Sequence, residues 1–357
     1  IWGCSHYDRQ MTQSSRRILI RTDASSQIGT GHVMRCLTLA KTLRQRGADV
    51  TFWCLPLTGH LIERIQDEGF SVQTDEHPDF EALPFDWLIV DHYQLDARWE
   101  SACRSFVRQI MVIDDLADRS HDCDVLLDQN YIGACKAPNQ RYQGLVPESC
   151  QVLLGSDYVL LRPEFAQLRQ SRTPYRNSIQ QILVSLGGAD PNNDTGKVLE
   201  ALALVKAERQ LSHAVAVDVV VGVSCPHRVT IQAQCTQYGF HYLENICDMA
   251  ERMSRSDLLI GAGGTTTWER MALGLPAVVL SIADNQTLHT QMLAEDGYHV
   301  YAGQTQDVSV EQLACVITET LTHPERLHQM AEKGIQCIDA QGVNRVCDVL
   351  LTTHVTT

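Results

Sequence analysis

The chain has 357 residues, of which 44% are hydrophobic and 20% are charged, and its formal net charge is −14 at pH 7. This length allows two domains, each with its own hydrophobic core. The acidic balance argues against a nucleic-acid partner, because binding a phosphate backbone requires a basic surface. No apolar run approaches the roughly 18 residues of a membrane helix, so no membrane partner is expected.

Residues 1–15 are polar, show no periodicity and lack the apolar segment of a secretory signal peptide. We predict that they form a disordered leader, and we assign them no function. The 13 cysteines are scattered, odd in number and contain no C-x-x-C pair. This usage favours reduced thiols, a cytoplasmic location and no structural metal site.

Residues 16–170 read as one α/β domain, because strand-like runs alternate with helical patterns. The predicted strands lie near residues 17–22, 50–54, 71–74, 86–91, 109–114, 124–127 and 152–155. The predicted helices lie near residues 31–46, 59–68, 97–107 and 163–170. Residues 171–178 are polar, contain Pro174 and predict a linker.

The alternation restarts over residues 179–340, which predicts a second α/β domain. Its strands are expected near residues 179–186, 216–221, 240–243, 256–260, 277–281 and 298–301. Its helices are expected near residues 193–205, 226–237, 247–254, 266–273, 286–295, 309–321 and 324–333. Residues 341–357 predict a last helix and tail without indicating where the helix docks. The fold class is therefore α/β, with two Rossmann-like domains that face each other across a cleft.

A polar, glycine-bearing loop joins the first predicted strand to the first helix. Such loops lie at the carboxyl ends of the strands, where open α/β sheets bind ligands. Gly29 and Gly31 allow a tight turn and a close approach of the backbone to a ligand. His32 falls in the first helical turn, and a neutral imidazole there can take a proton from water near pH 7. We therefore choose His32 as the candidate general base, the alternative being a capping or core histidine.

A second loop, Gly261-Ala262-Gly263-Gly264-Thr265-Thr266-Thr267, follows a strand in the C-terminal half. Thr265 is the expected N-cap of the next helix, and backbone N–H groups together with Thr266 suit a phosphate. Glu269, one turn further on, is placed to accept hydrogen bonds from a ribose. Gly187 and Gly188 end another strand of this domain and are expected to line the same cleft. We predict a nucleotide diphosphate site, the alternative being that these glycines only make tight turns.

The second loop is not a Walker A motif, because no Gly-Lys-Ser/Thr follows the glycines. It also lacks the G-x-G-x-x-G pattern with an acidic residue at the end of the next strand. ATP hydrolysis and nicotinamide chemistry are therefore not expected.

From about residue 16 to the C-terminus the chain resembles the GT-B glycosyltransferase superfamily, and within it the UDP-sugar hydrolases of pseudaminic acid biosynthesis. The motifs that carry the resemblance are Asp23–His32 (DASSQIGTGH), Cys54–Gly59 (CLPLTG), Val90–Tyr93 (VDHY), Asp114–Arg119 (DDLADR), Leu161–Phe165 (LRPEF), Gly263–Glu269 (GGTTTWE) and Asp284–Gln286 (DNQ). The first of these is specific to the hydrolases, whereas the C-terminal loop alone indicates only the wider fold.

The resemblance implies release of UDP from UDP-2,4-diacetamido-2,4,6-trideoxy-β-L-altropyranose. Water attacks the anomeric carbon with inversion, without a metal or other cofactor. The expected partner is a small-molecule UDP-sugar, and the oligomeric state is left open. The resemblance also places the catalytic histidine at His32, supports a catalytic-site role for Tyr93, and favours sugar binding by Asn285.

The other candidate residues have ordinary structural alternatives. Asp23 and Ser26 could orient the sugar ring or the water, or they could be turn residues. Tyr93 could hold the water or be a packing residue, and Asn285 could instead cap a helix. Arg35 and Gln286 complete the candidate substrate-binding set. The carboxylates of Asp114, Asp115, Asp122 and Asp124, together with His121, are interpreted as residues that order loops rather than as a magnesium site.

Two other functions remain open from the sequence. A GT-B sugar transferase would use the same donor loops but hand the sugar to an acceptor, and no acceptor patch of exposed apolar and basic residues is evident in residues 50–80. A non-catalytic UDP-sugar binding protein would have no need of a base in the cleft.

Overall fold

The structure is a computed structural model. It describes residues 15–25, 27–78, 80, 84–131, 133, 140–171, 178–208, 211–212 and 214–352, without the side chains of Asp284 and Asn285. Ser26 and the predicted leader up to residue 14 lie outside the described residues, as does most of the predicted linker.

The N-terminal half forms a seven-stranded parallel sheet in the order β3-β2-β1-β4-β5-β6-β7. Its strands are β1 (Arg17–Thr22), β2 (Asp49–Trp53), β3 (Ser71–Gln73), β4 (Phe85–Asp91), β5 (Val107–Ile113), β6 (Val125–Asp128) and β7 (Gln151–Leu154). Its helices are α1 (Gly31–Gln45), α2 (Ile62–Asp67) and α3 (Ala97–Cys103), and α4 (Pro163–Ser171) follows a short 3-10 turn, Ser156–Tyr158. The predicted third helix ends earlier than expected, because the chain enters β5 at Val107.

The C-terminal half forms a six-stranded parallel sheet in the order β10-β9-β8-β11-β12-β13. Its strands are β8 (Gln181–Ser185), β9 (Ala216–Val221), β10 (His241–Glu244), β11 (Leu258–Ala262), β12 (Ala277–Ser281) and β13 (Val300–Gln304). Its helices are α5 (Asp194–Ala207), α6 (Arg228–Tyr238), α7 (Met249–Arg255), α8 (Thr266–Ala272), α9 (Asp284–Glu295), α10 (Val310–Leu321) and α11 (Pro324–Cys337).

Both sheets reverse strand order beside their first strand, between β1 and β4 and between β8 and β11. The carboxyl ends of strands at such a switch point diverge into a crevice in which α/β proteins bind ligands. The apolar runs are continuous because both faces of each sheet are covered. In β1, for example, Ile18 and Ile20 enter one core and Leu19 enters the core on the opposite face.

The last helix, α12 (Gly342–Thr352), returns to the N-terminal half. Its apolar side chains Val343, Val346, Cys347 and Leu350 are buried in the core that contains β1 and α1. Gly342 permits this docking, because a Cβ there would lie 2.4 Å from the carbonyl oxygen of Val159. The docking site that the sequence left open is therefore the N-terminal sheet. None of the described helices is long and apolar enough to cross a membrane.

Candidate active site

His32 lies where the sequence places it, in the first turn of α1 directly after the glycine loop. Gly29 has φ of +83°, a conformation that favours glycine, and its N–H donates to the Ser25 carbonyl at 2.8 Å. The Ser25 hydroxyl also accepts from the Ile28 N–H at 3.0 Å. After this closed turn α1 begins at the cleft between the two sheets, so that His32 in its first turn lines the cleft.

The imidazole of His32 is held by Asp91, the last residue of β4. His32 Nδ1 lies 2.5 Å from Asp91 Oδ1, and the carboxylate is buried. The charge of Arg35, with a further contribution from His32, outweighs the desolvation of Asp91 and holds its pKa well below the usual range. An ionised carboxylate can only accept, so Nδ1 carries the proton, and in the neutral ring the free lone pair is then on Nε2. This is the tautomer that a general base requires.

Arg35 lies one helical turn after His32 and donates two hydrogen bonds to the carboxylate of Asp91. Its Nε donates to Asp91 Oδ2 and its Nη2 donates to Asp91 Oδ1, each at 2.6 Å. Its Nη1 lies 3.7 Å from Asp115 Oδ2. The guanidinium predicted to bind substrate is therefore engaged by carboxylates of its own domain, and we propose that it acts by fixing Asp91.

Tyr93 follows β4 and packs its ring edge-on against His32, with 4.6 Å between the ring centroids. Burial, reinforced by the charge of Asp115 and a hydrogen bond to it, raises the pKa of Tyr93 above its usual range. The phenol is therefore neutral at pH 7 and can donate a hydrogen bond. Tyr93 lines the cleft, as its predicted role requires.

Asp23 is buried and outside the cleft lining, and its partners lie at the carboxyl ends of β1, β2 and β4. It pairs with Arg21 at 2.7 Å, accepts from the Leu55 N–H at 2.8 Å, and lies 3.3 Å from His92 Nε2. Its contacts with His92 and Arg21 overcome desolvation and keep its pKa below the usual range. These contacts assign Asp23 and His92 to ordering the loop that carries His32.

The glycines of the C-terminal half allow a close approach between loop and helix. A Cβ on Gly263 would lie 2.2 Å from Thr290 Oγ1 of α9, and Gly187 has φ of +100°. Thr265 occupies the N-cap position of α8, as predicted, but its side chain makes no capping hydrogen bond. Its methyl group instead faces the other domain, since a Cβ on Gly31 would lie 3.9 Å from Thr265 Cγ2. The two glycine loops thus meet across the cleft.

The cleft has a volume of about 390 Å³ and is lined by both halves of the chain. It brings together most of the predicted site residues, namely Gly31, His32, Arg35, Tyr93, Gly187, Gly188, Gly263, Gly264, Thr265 and Gln286. The described lining also includes residues that sequence reasoning missed as binding residues, namely Asp115, Gln129, Asn130, Trp268 and His289.

Four predicted binding residues are placed differently or incompletely. Gly29 shapes the first turn behind the lining, and Thr266 and Glu269 of α8 are outside the described lining. Glu269 lies 3.3 Å from Arg162 Nη2, and burial raises its pKa. Asn285 lies in the first turn of α9, and its side chain is outside the described part of the structure.

Two parallel sheets whose glycine loops meet across one cleft define an architecture of the GT-B type, as the sequence predicted. Residues 186–346 match the Glycosyltransferase family 28 C-terminal domain. The structure of MurG from Acinetobacter baumannii superposes with a TM-score of 0.63 at 19% identity, covering 94% of this chain and 99% of that one.

The predicted resemblance to the hydrolases is also confirmed. The chain is 29% identical to a UDP-2,4-diacetamido-2,4,6-trideoxy-beta-L-altropyranose hydrolase of Campylobacter jejuni, over 80% of this chain and 98% of that protein. It is 28% identical to the spore coat polysaccharide biosynthesis protein SpsG of Bacillus subtilis, over 93% of this chain and 96% of that protein.

Proposed function

We propose that this chain is an enzyme acting on a UDP-sugar, and specifically a hydrolase that removes UDP from UDP-2,4-diacetamido-2,4,6-trideoxy-β-L-altropyranose in pseudaminic acid biosynthesis. One observation carries the proposal. The cleft that holds the glycine loop Gly263–Thr265 also holds His32, with its Nδ1 fixed on Asp91. A base and a phosphate-binding loop therefore face each other over a space of substrate size.

The proposed reaction places UDP on the C-terminal half and the sugar toward His32. The backbone N–H groups of Gly264 and Thr265 bind the diphosphate, and Glu269 binds the ribose after exchanging its contact with Arg162. The amides of Asn285 and Gln286 bind the sugar and its substituents. The Tyr93 hydroxyl, which donates its proton to Asp115, accepts a hydrogen bond from the water or from an acetamido N–H.

Hydrolysis then requires one base and a stabilised leaving group. His32 Nε2 takes a proton from water as the water oxygen bonds to the anomeric carbon. The anomeric C–O bond breaks and its electron pair leaves with UDP, so the configuration inverts. Asp91 stabilises the imidazolium that forms, and Arg35 keeps Asp91 ionised and oriented. No step of this scheme uses a metal or other cofactor.

Proton NMR of the purified chain with the diacetamido UDP-sugar, run beside UDP-N-acetylglucosamine, tests the proposal. We expect free sugar of inverted configuration and UDP from the first substrate alone. If neither substrate releases UDP, the hydrolase assignment is wrong.

A sugar transferase is the second candidate, because the GT-B fold and the family 28 C-terminal domain also occur in glycosyltransferases. The discriminating measurement adds candidate acceptors to the same assay. Sugar transfer that exceeds hydrolysis would favour the transferase, whereas UDP release that acceptors do not divert would favour the hydrolase. Tight UDP-sugar binding without turnover at any pH would instead indicate a non-catalytic binding protein.

A further inference from the structure

Arg270 is a buried cation that the proposed reaction does not use. It lies in α8 and is only 1% exposed. Its Nη1 donates to the Tyr298 carbonyl at 3.1 Å, and its Nη2 donates to His299 Nδ1 at 2.7 Å. Its Nε has no hydrogen-bond partner among the described residues. No described carboxylate forms a salt bridge with it, although a buried charge normally requires one.

The histidine beside Arg270 does not neutralise the charge. An arginine can only donate, so His299 Nδ1 accepts and His299 Nε2 carries the proton, which it donates to the Thr290 carbonyl at 2.9 Å. Burial and the nearby guanidinium hold the pKa of His299 well below its usual range, so the ring is neutral. The pair therefore carries one net positive charge into the interior.

This charge is linked through His299 to Thr290, a residue that lines the cleft. Arg270 is only a few residues after the loop, and helical side chains tilt toward the N-terminus of their helix. Through His299 it connects to Thr290, whose Oγ1 would lie 2.2 Å from a Cβ on Gly263. Two residues, His299 and Thr290, thus separate the guanidinium from Gly263, and neither of them is a carboxylate.

The cleft itself supplies little other positive charge. Arg35 is the only lysine or arginine in its described lining, and both Asp91 and Asp115 face it. A substrate diphosphate must therefore find its counter-charge elsewhere.

We propose that Arg270 is a positioning residue whose uncompensated charge, held next to the cleft lining by His299 and Thr290, selects for the diphosphate of the nucleotide. This rests on the proposed function. At an effective dielectric constant of about 20, a unit charge about 10 Å away changes a binding constant roughly tenfold.

Calorimetric titration of the full chain with UDP, uridine and inorganic diphosphate tests the inference. Arg270→Met removes the charge and keeps an apolar side chain, and Arg270→Lys keeps the charge. Arg169→Met is the matched control, because Arg169 also donates to backbone carbonyls, including that of Ala272 at the far end of α8. We expect Arg270→Met to weaken UDP and diphosphate binding roughly tenfold while uridine binding changes little. Arg270→Lys and Arg169→Met should keep the wild-type ratio of UDP to uridine affinity.

A second variant covers the case in which Arg270→Met does not fold. His299→Glu places a carboxylate beside the guanidinium and neutralises it without removing it, so the same selective loss of UDP binding is expected. An unchanged ratio of UDP to uridine affinity in a folded Arg270→Met or His299→Glu protein would overturn the inference, as would equal losses for both ligands. If the unaltered chain binds neither ligand, the proposed function itself fails.

Discussion

Replacing Asp91 by asparagine is the sharpest test of the site, because it changes one atom in a buried network. Asp91 Oδ1 faces both His32 Nδ1 and Arg35 Nη2, and Oδ2 accepts from Arg35 Nε. An asparagine offers one oxygen and one NH2 group in place of two acceptors. If the NH2 group takes the Oδ2 position, it opposes the donor Arg35 Nε. If it takes the Oδ1 position, it opposes Arg35 Nη2, and His32 Nδ1 must accept, so the proton moves to Nε2 where the base needs a lone pair.

The expected effect on catalysis follows from this choice of orientations. Either orientation removes the anionic partner of the imidazolium, and one also reverses the tautomer. General-base catalysis contributes about 10²–10⁴-fold, so we expect kcat to fall at least 100-fold, about 2.7 kcal/mol in the barrier. UDP affinity should change less than about threefold, because the proposed UDP site lies on the other half of the chain. Leaving Arg35 without its anion should also lower the free energy of unfolding by about 3 kcal/mol.

Steady-state rates of UDP release, UDP titration calorimetry and urea unfolding measure these three quantities. His32→Leu with and without Asp91→Asn is the control, since residues that act as a unit lose activity non-additively. We expect the second substitution to cost little once His32 is absent. A kcat for Asp91→Asn within threefold of the wild type, in a protein that folds and binds UDP, would refute the role of Asp91.

Four further predictions follow from the same geometry. His32→Leu should abolish most turnover and leave UDP affinity nearly unchanged; turnover within a few-fold of the wild type would remove His32 from the role of base. Glu269→Ala should raise KM more than it lowers kcat, and an unchanged KM would contradict the ribose contact. Gly263→Ala should destabilise the fold by about 1–3 kcal/mol and weaken UDP binding, because the new Cβ would lie 2.2 Å from Thr290 Oγ1. A wild-type melting temperature and a wild-type affinity for UDP would contradict this prediction. The lowered pKa of Asp91 means that its contribution to stability is complete above about pH 4 and is lost as pH falls further. The difference in unfolding free energy between the wild type and Asp91→Asn should therefore shrink in acid, and a pH-independent difference would contradict it.

The fold was predictable because its signals are local. Continuous apolar runs indicate strands covered on both faces, and the spacing of apolar residues in α1 indicates one buried helix face. The glycine loops mark the strand ends at which each sheet reverses order. The ends of helices were harder to predict from the sequence. For example, α3 ends at Cys103, earlier than predicted, because β5 begins at Val107.

The supporting network of His32 was missed because its partners are distant in sequence. Asp91 lies 59 residues after His32, and no local pattern links them. A signal was nevertheless present. Asp91 ends β4, which pairs with β1 so that Asp91 is opposite Thr22, at the start of the loop that leads to His32. A buried carboxylate at the carboxyl end of the neighbouring strand is the place to look for the partner of a loop histidine.

The electrostatics of the cleft separate its two tasks. A chain of net charge −14 must attract a diphosphate, yet the one cation in the described cleft lining, Arg35, is shared by two carboxylates of its own domain. The N-terminal side of the cleft therefore carries no surplus positive charge, which suits a base whose ring becomes a cation when it takes a proton. In the proposed function, attraction for the substrate comes from the C-terminal side, through backbone N–H groups and the buried charge of Arg270. Substitutions on the two sides should therefore affect different quantities. Those of His32 and Asp91 should lower kcat, whereas those of Gly263 and Arg270 should lower the affinity for the nucleotide.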